Sequence, residues 1–383
     1  MVAVEQTIFV LLLILILGLV IPELFKKLRL PFITSLILAG AFFGPNGFGY
    51  IQPNEVIEFF GFLGAVFLMF MAGLEVKLSY LKRIKGDVGI MAVLNGIIPF
   101  MVGVTIVRLF GFSWVSALLI GVVFISSSIA VIAASVRGTG LMDKKIGKAI
   151  VSAAVMEDMA SLLLLAVILQ TISPITKFPS PIYFSILILS LALIIYLLPR
   201  AHEYFIKFVG KRGDYEEQVR FTIVVLMAVL VYFSGLGVHP IVAAFLVGLL
   251  LSDIITSEVI RDKLHTLGYG LFVPVFFFII GMQMELSMFT HFDYRDVLLI
   301  SIIGGLIASK FFSGYIAGRI VGFKHKHSTM FGVTSTAQLT TTLAVVYTAS
   351  SLQMIDSTLL TAIIILSIVT TIGVPVMLSF LSK

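Results

Sequence analysis

Apolar residues run along this chain in thirteen long blocks, each closed by charged residues or by proline and glycine. Read as helices, the blocks cover 6–25, 32–50, 55–76, 87–108, 113–136, 147–172, 181–199, 219–235, 239–255, 266–284, 296–319, 328–350 and 357–381. Most approach the roughly 20 residues that an α-helix needs to cross a hydrocarbon core. The alternating segments of about ten residues that mark a transmembrane barrel are not seen. The pattern predicts an all-α polytopic membrane protein, with its termini on opposite sides of the bilayer because thirteen is odd.

Composition agrees. The chain is 59% hydrophobic and 12% charged, with a mean hydropathy of +1.14, whereas soluble domains carry about 25% charged residues. The 32 glycines, and prolines 99, 240, 274 and 375 inside apolar runs, fit helices packed closely on neighbours. Cysteine is absent, which excludes disulfides and thiolate metal sites. The run from Thr7 to Pro22 has no basic flank and no small-residue cleavage site, so it reads as a retained span. Of the 26 Lys and Arg residues, 22 fall in alternate loops on one side, and Arg108, Lys177 and Arg295 alone on the other. Basic loops are cytoplasmic, so the amino terminus is expected outside and the carboxyl terminus in the cytoplasm of a cell-membrane protein. The net charge of +6 is thus a topology signal and implies no nucleic-acid partner.

Against this background the few polar residues inside the runs are informative. Glu157 and Asp158 stand side by side in the sixth block, where the only other charge from Ile146 to Ile172 is Lys148. Each ionisable group at a helix centre costs roughly 2.5–3.5 kcal/mol on insertion scales, so such a pair marks an ion or proton pathway. Lys310 lies deep in the eleventh block, and the only central acids that could meet it are Glu157 and Asp158; a static salt bridge is the plainer alternative. Ser126, Ser127 and Ser128 fall midway along the fifth block, and the run Thr334 to Thr342 midway along the twelfth. Dividing the spans as six, one and six makes these two blocks equivalent and turns the second six upside down. Paired interruptions in inverted repeats point to an ion site at the midplane, although hydroxyls can also bond back to their own helices.

Neighbours on a helix point about 100° apart, so one carboxylate can face the interrupted helices while the other faces Lys310. Adjacent carboxylates repel and titrate as a coupled pair. If a hard cation binds their oxygens only after protons leave, the site carries one or the other.

These residues make the chain similar to the cation/proton antiporters, in particular to the cation:proton antiporter-2 branch with its NapA-type sodium/proton and Kef-type potassium/proton exchangers. The resemblance covers essentially all thirteen spans. It rests on Phe70-Met71-Ala72-Gly73-Leu74-Glu75, Ser126-Ser127-Ser128-Ile129-Ala130, Glu157-Asp158, Phe276 to Met282, and Lys310. It implies the sodium/proton antiporter fold: two inverted six-helix repeats with crossed broken helices. Asp158 matches the family's ion-binding aspartate. Glu157 takes the preceding position, where the family has Asp, Asn or Gln; it keeps the second charge of electrogenic members but adds a methylene. Lys310 resembles the lysine that pairs with that carboxylate in electrogenic exchangers.

The implied ion and proton ligands are Asp158, Glu157, Ser126, Ser127 and Ser128, with an alkali cation on Asp158 and Glu157. Glu75 is implied as a gate or accessory acid at the inner entrance, though its place beside Lys77 also fits a solvated helix end. Gln338, with Thr336 and Thr340, is implied as accessory in the second interruption. The resemblance further divides the chain into a dimerisation scaffold (1–86 and 201–290), a moving core (87–173 and 291–383) and a linker helix (174–200). It implies a homodimer in membrane lipid and no cofactor beyond the transported ions. Kef-type relatives often carry a regulatory nucleotide-binding domain after the last span, where this chain stops at Lys383.

The implied activity is not enzymatic. It is secondary active exchange of a monovalent cation, Na⁺ first, for protons by alternating access and with net charge movement. An electroneutral Kef-type K⁺/H⁺ exchange is the alternative within the family. A cation channel is opposed by Lys310, and an aspartyl intramembrane protease needs its acids on two helices. A sodium-coupled organic-anion symporter would move cation only with an organic substrate.

Overall fold

The computed structural model describes residues 2–26, 30–76, 86–172, 180–209, 215–289 and 293–382. Lys27, Arg29, Lys77, Lys82, Arg83, Lys85, Lys177, Lys211, Arg212 and Lys383, all used above to orient the chain, lie outside them. The described residues are helical almost throughout. α1 (Val2–Lys26), α2 (Phe32–Phe43) and α3 (Glu55–Glu75) are followed by α4 (Gly86–Leu109). The fifth span is split into α5 (Trp114–Ile125) and α6 (Ile129–Gly138), and α7 (Lys145–Ile172) follows. After α8 (Ser180–Val209) come α9 (Tyr215–Gly235) and α10 (Pro240–Leu251). The tenth span joins α11 (Glu258–Leu267) through a π-turn (Gly268–Phe272) to α12 (Val273–Met282). α13 (Tyr294–Ile320) precedes the second split span, α14 (His325–Ser335) and α15 (Thr340–Ser351), and then α16 (Ser357–Ser382). Among the described residues, counting each interrupted span once gives the thirteen expected; ten are long and apolar enough to cross a membrane, and α2 and α10 are shorter apolar helices.

Several boundaries differ from the expectation for physical reasons. α2 stops at Phe43 rather than at 50, because Gly44, Pro45 and Gly47 open a turn that includes Gly49 at φ +72°. α8 runs through Pro199 to Val209 rather than stopping there; in membranes neighbouring groups can re-satisfy the carbonyl that a proline frees. Pro240 proves to begin a helix rather than interrupt one, where a missing N–H is harmless, whereas Pro274 lies within the continuous Glu258–Met282 span, just after its π-turn.

Contacts disclose a repeat that residue identity conceals. α2 and α10 begin at 32 and 240, and α4 and α13 at 86 and 294, each pair 208 residues apart. Gly40 on α2 lies so close to α12 that a Cβ would overlap Phe278 O, while Gly281 on α12 lies equally close to Ile37 O. Gly248 on α10 meets Phe70 O of α3 in the same way, and Gly73 on α3 meets Phe245 O. Every partner in one crossing is again 208 residues from its counterpart in the other (40 and 248, 73 and 281, 70 and 278, 37 and 245). Small residues of this kind let membrane helices pack backbone to backbone. Equivalent helices are seven spans apart, so the two copies traverse the membrane in opposite senses. The same register places Ser126–Ser128 opposite Thr334–Thr336.

The chain forms two compact units, one of Met1–Gly64, Ile84–Leu165 and Leu271–Lys383, the other of Ala65–Arg83 and Ala166–Gly270. The first contains the α2–α12 crossing and both split spans, and the second the α3–α10 crossing.

Candidate functional site

Both interruptions are non-helical where hydroxyl residues cluster. Ser126 adopts an extended conformation (φ −64°, ψ 156°) after the last turn of α5, and Thr336 to Leu339 separate α14 from α15. Freed backbone groups in a buried, apolar setting need partners, and the two breaks supply them to each other. Ser128 N donates to Ala337 O at 2.8 Å, and Gln338 Nε2 to Ser126 O at 2.6 Å. Ser126 Oγ lies 3.0 Å from Thr342 Oγ1, whose hydroxyl also bonds Gln338 Oε1.

α7 carries Glu157 and Asp158 to this junction, 1% and 0% exposed, and α13 carries Lys310, 0% exposed. Lys310 Nζ donates to Glu157 Oε2 at 2.7 Å, Ile125 O at 2.6 Å and Ser127 Oγ at 3.0 Å, which engages all three of its protons. Ser127 Oγ lies 2.6 Å from the same Glu157 oxygen and 2.8 Å from Ser335 O. Asn95 Nδ2 of α4 donates to Glu157 Oε1 at 2.9 Å.

Asp158 faces other groups. Ser127 N donates to its Oδ1 at 3.2 Å and Thr341 Oγ1 to its Oδ2 at 2.9 Å. Among the described residues no cation lies within ion-pair distance of it. The ends of the half-helices sort the charges: the ammonium meets the final carbonyl of α5, whereas Asp158 sits at the starts of α6 and α15, where the helix dipole favours an anion.

The remaining expected residues are placed less centrally. Ser128 Oγ is buried and has no hydrogen-bond partner among the described residues. Thr336 Oγ1 bonds back to Val333 O at 2.8 Å, and buried Thr340 opens α15. Glu75 ends α3 as an exposed residue of the second unit. Three residues were not singled out from the sequence: Asn95, Thr341 and Ser313 of α13, whose Oγ donates to Asn95 Oδ1 at 2.8 Å. Thr341 stood unremarked within a quoted run. Asn95 is an amide in a largely apolar span, and that polarity was the available signal. Ile150 and Ala154 of α7 and Phe331 of α14 close tightly around Glu157 and Ser127.

The transmembrane sodium/hydrogen exchanger family matches residues 10–383. The chain is 28% identical over 376 residues to Probable Na(+)/H(+) antiporter 3 of Methanocaldococcus jannaschii, covering 97% of this chain and 96% of that one. It is 28% identical over 378 residues to the Na(+)/H(+) antiporter NhaS5 of Synechocystis, covering 95% of this chain and 53% of the relative. By fold it is similar to the sodium proton antiporter MjNhaP1 from Methanocaldococcus jannaschii at pH 8, with a TM-score of 0.75, 17% identity and coverage of 100% and 99%. These likenesses show the exchanger family as a whole and do not support the narrower cation:proton antiporter-2 branch with its Kef-type exchangers. Matched from residue 10 to its last residue by one family of transporters, and sharing the antiporter fold, the chain belongs to the sodium/hydrogen exchanger family.

Proposed function

We propose that the chain exchanges Na⁺ for protons across the cell membrane by alternating access, with Asp158 as the group that holds either the cation or a proton. The observation that carries this is the unequal partnering of two adjacent buried acids. Glu157 is neutralised by Lys310 at 2.7 Å, while Asp158 has, among the described residues, only neutral donors at the meeting of two broken helices. A carboxylate so placed in a membrane needs a compensating positive charge, and a proton or a small cation can each provide it. The open hydroxyl of Ser128 and the carbonyls of the interruptions are oxygen ligands of the kind a hard cation takes. Lys310 serves as the charge partner of Glu157; Gln338 and Ser126 brace the breaks. Thr336, Thr340 and Glu75 are accessory in this reading.

The amino terminus lies outside and the carboxyl terminus in the cytoplasm, supported by the 22 basic residues gathered on one side. By resemblance to the family, residues 87–173 and 291–383 move as a core against a dimerising scaffold of 1–86 and 201–290, joined by 174–200, and the protein is a homodimer.

Proteoliposomes containing a pH dye test the exchange. Added Na⁺ should move protons without any organic substrate, and Asp158→Asn should abolish this in folded protein. Exchange at the unmutated rate in Asp158→Asn would remove Asp158 from the mechanism. In detergent, Na⁺ should release protons, with an apparent affinity that rises with pH.

A further inference from the structure

Glu285, just beyond the end of α12, joins that helix to the starts of two others on the face proposed above to be external. Its backbone N–H donates to Thr361 Oγ1 at 2.9 Å, and its Oε2 accepts from Ser357 Oγ at 2.6 Å. Ser357 opens α16, and Thr361 lies one turn on. The other carboxylate oxygen, Oε1, accepts from Arg295 Nη1 at 3.3 Å and from Ser287 Oγ at 3.2 Å. Arg295 stands in the first turn of α13, where its Nε also donates to Asp293 Oδ2 at 3.0 Å. The Arg295 and Glu285 side chains are 26% and 29% exposed, so the pair is partly shielded from water.

The helix starts give these residues their sense. A carboxylate is favoured at the beginning of α16, whereas a guanidinium in the first turn of α13 stands at the unfavourable end of that helix's dipole. Arg295 therefore does not serve α13; its position lets it reach Glu285. Of the groups on Glu285, all but Ser287 lie beyond residue 291. In the exchange reading, the scaffold ends at 290 and the core begins at 291. Each bond from Glu285 to α13 and α16 thus crosses the boundary between the part that stays and the part that moves. Hydrogen bonds weaken steeply with separation and misalignment, so bonds across a sliding boundary hold in one end state and not in the other. With them made, Leu271–Lys383 lies within one compact unit.

We propose that Glu285 is a latch that holds the external edge of the core against α12, gripped by Arg295, Ser357 and Thr361, and that it must release in each exchange cycle. The inference rests on the exchange reading above.

The chain has no cysteine, so a Glu285→Cys/Ser357→Cys pair can be joined by a short, reducible bis-methanethiosulfonate linker in proteoliposomes. Joining should stop Na⁺-driven proton movement, and reductant should restore it. The comparison is a Ser116→Cys/Met354→Cys pair, which lies wholly within the core, where Ser116 Oγ donates to Met354 O at 2.9 Å. Joining that pair should leave the rate as it was. Exchange indifferent to the Glu285–Ser357 link, or lost equally with the core link, overturns the proposal. Should the first pair not fold, Thr361→Cys replaces it, because Thr361 is 0% exposed. An impermeant thiol reagent added outside should reach that cysteine several-fold faster when Glu285→Ala is also present, and equal rates overturn the proposal. Exchange surviving Asp158→Asn would instead sink the exchange reading itself, so the two failures are separable.

Discussion

Glu157 and Asp158 are consecutive, equally buried and of like charge, yet one accepts from an ammonium and the other from a backbone amide and a hydroxyl. That division follows from the turn of the helix between them and assigns them different work. Replacing Glu157 by Gln removes one charge while keeping a hydrogen-bonding group for Asn95 and Ser127. Exchange should persist in part but without net charge movement, so the current on a supported membrane should fall to baseline while the dye still reports proton movement. An unchanged current would count against Glu157 as part of the charge balance. The two acids and Lys310 were legible in the sequence because an apolar run cannot disguise a charge. Asn95, Thr341 and Ser313 were not. Neutral polar residues in these helices mostly bond back one turn, as Ser135, Thr171, Ser301 and Ser367 do, and nothing in a single sequence distinguishes the few that reach across.

At the scale of elements, the number and order of the helices could be read from apolar runs, whereas their crossings could not. Length and hydropathy give a helix no neighbours; a glycine gives it one only when the opposing backbone is known. The reciprocal crossings at Gly40 with Gly281 and at Gly73 with Gly248 place each glycine against a backbone carbonyl that cannot give way as a side chain does. Overpacking of this kind costs about 1–3 kcal/mol. Gly281→Ala and Gly73→Ala should therefore each lower the thermal stability of the purified protein, and by similar amounts, because their surroundings are copies of one another. Gly304→Ala on α13, where a Cβ meets nothing within 4 Å, is the control and should leave stability unchanged or raised. Unequal losses would mean that the 208-residue register is not matched energetically. The π-turn Gly268–Phe272 escaped the sequence reading because it depends on local hydrogen bonding that apolar periodicity does not encode, whereas the early end of α2 was signalled by Gly44, Pro45 and Gly47.

The whole molecule is judged by the sign of the charge it moves. In the proton-loaded state Asp158 carries a proton and Glu157 faces a charged Lys310, so the three groups sum to zero. If Na⁺ enters at Asp158 and Lys310 gives up its proton on leaving Glu157, the same groups with their cation sum to minus one. Two protons then enter for each Na⁺ expelled, and one positive charge moves inward per cycle. A potential of 100 mV, negative inside, supplies roughly 2.3 kcal/mol for that charge, enough for about a fifty-fold Na⁺ gradient, since 1.4 kcal/mol is about tenfold. Exchange in right-side-out vesicles should accordingly be accelerated by an inside-negative potential clamped with potassium and valinomycin. Lys310→Ala leaves Glu157 buried without its cation, which is costly, and should either abolish transport or make it electroneutral. Exchange by the unmutated protein at a rate indifferent to voltage would rule out Lys310 as a second proton carrier, and the Lys310–Glu157 pair would then be a fixed brace between α13 and α7.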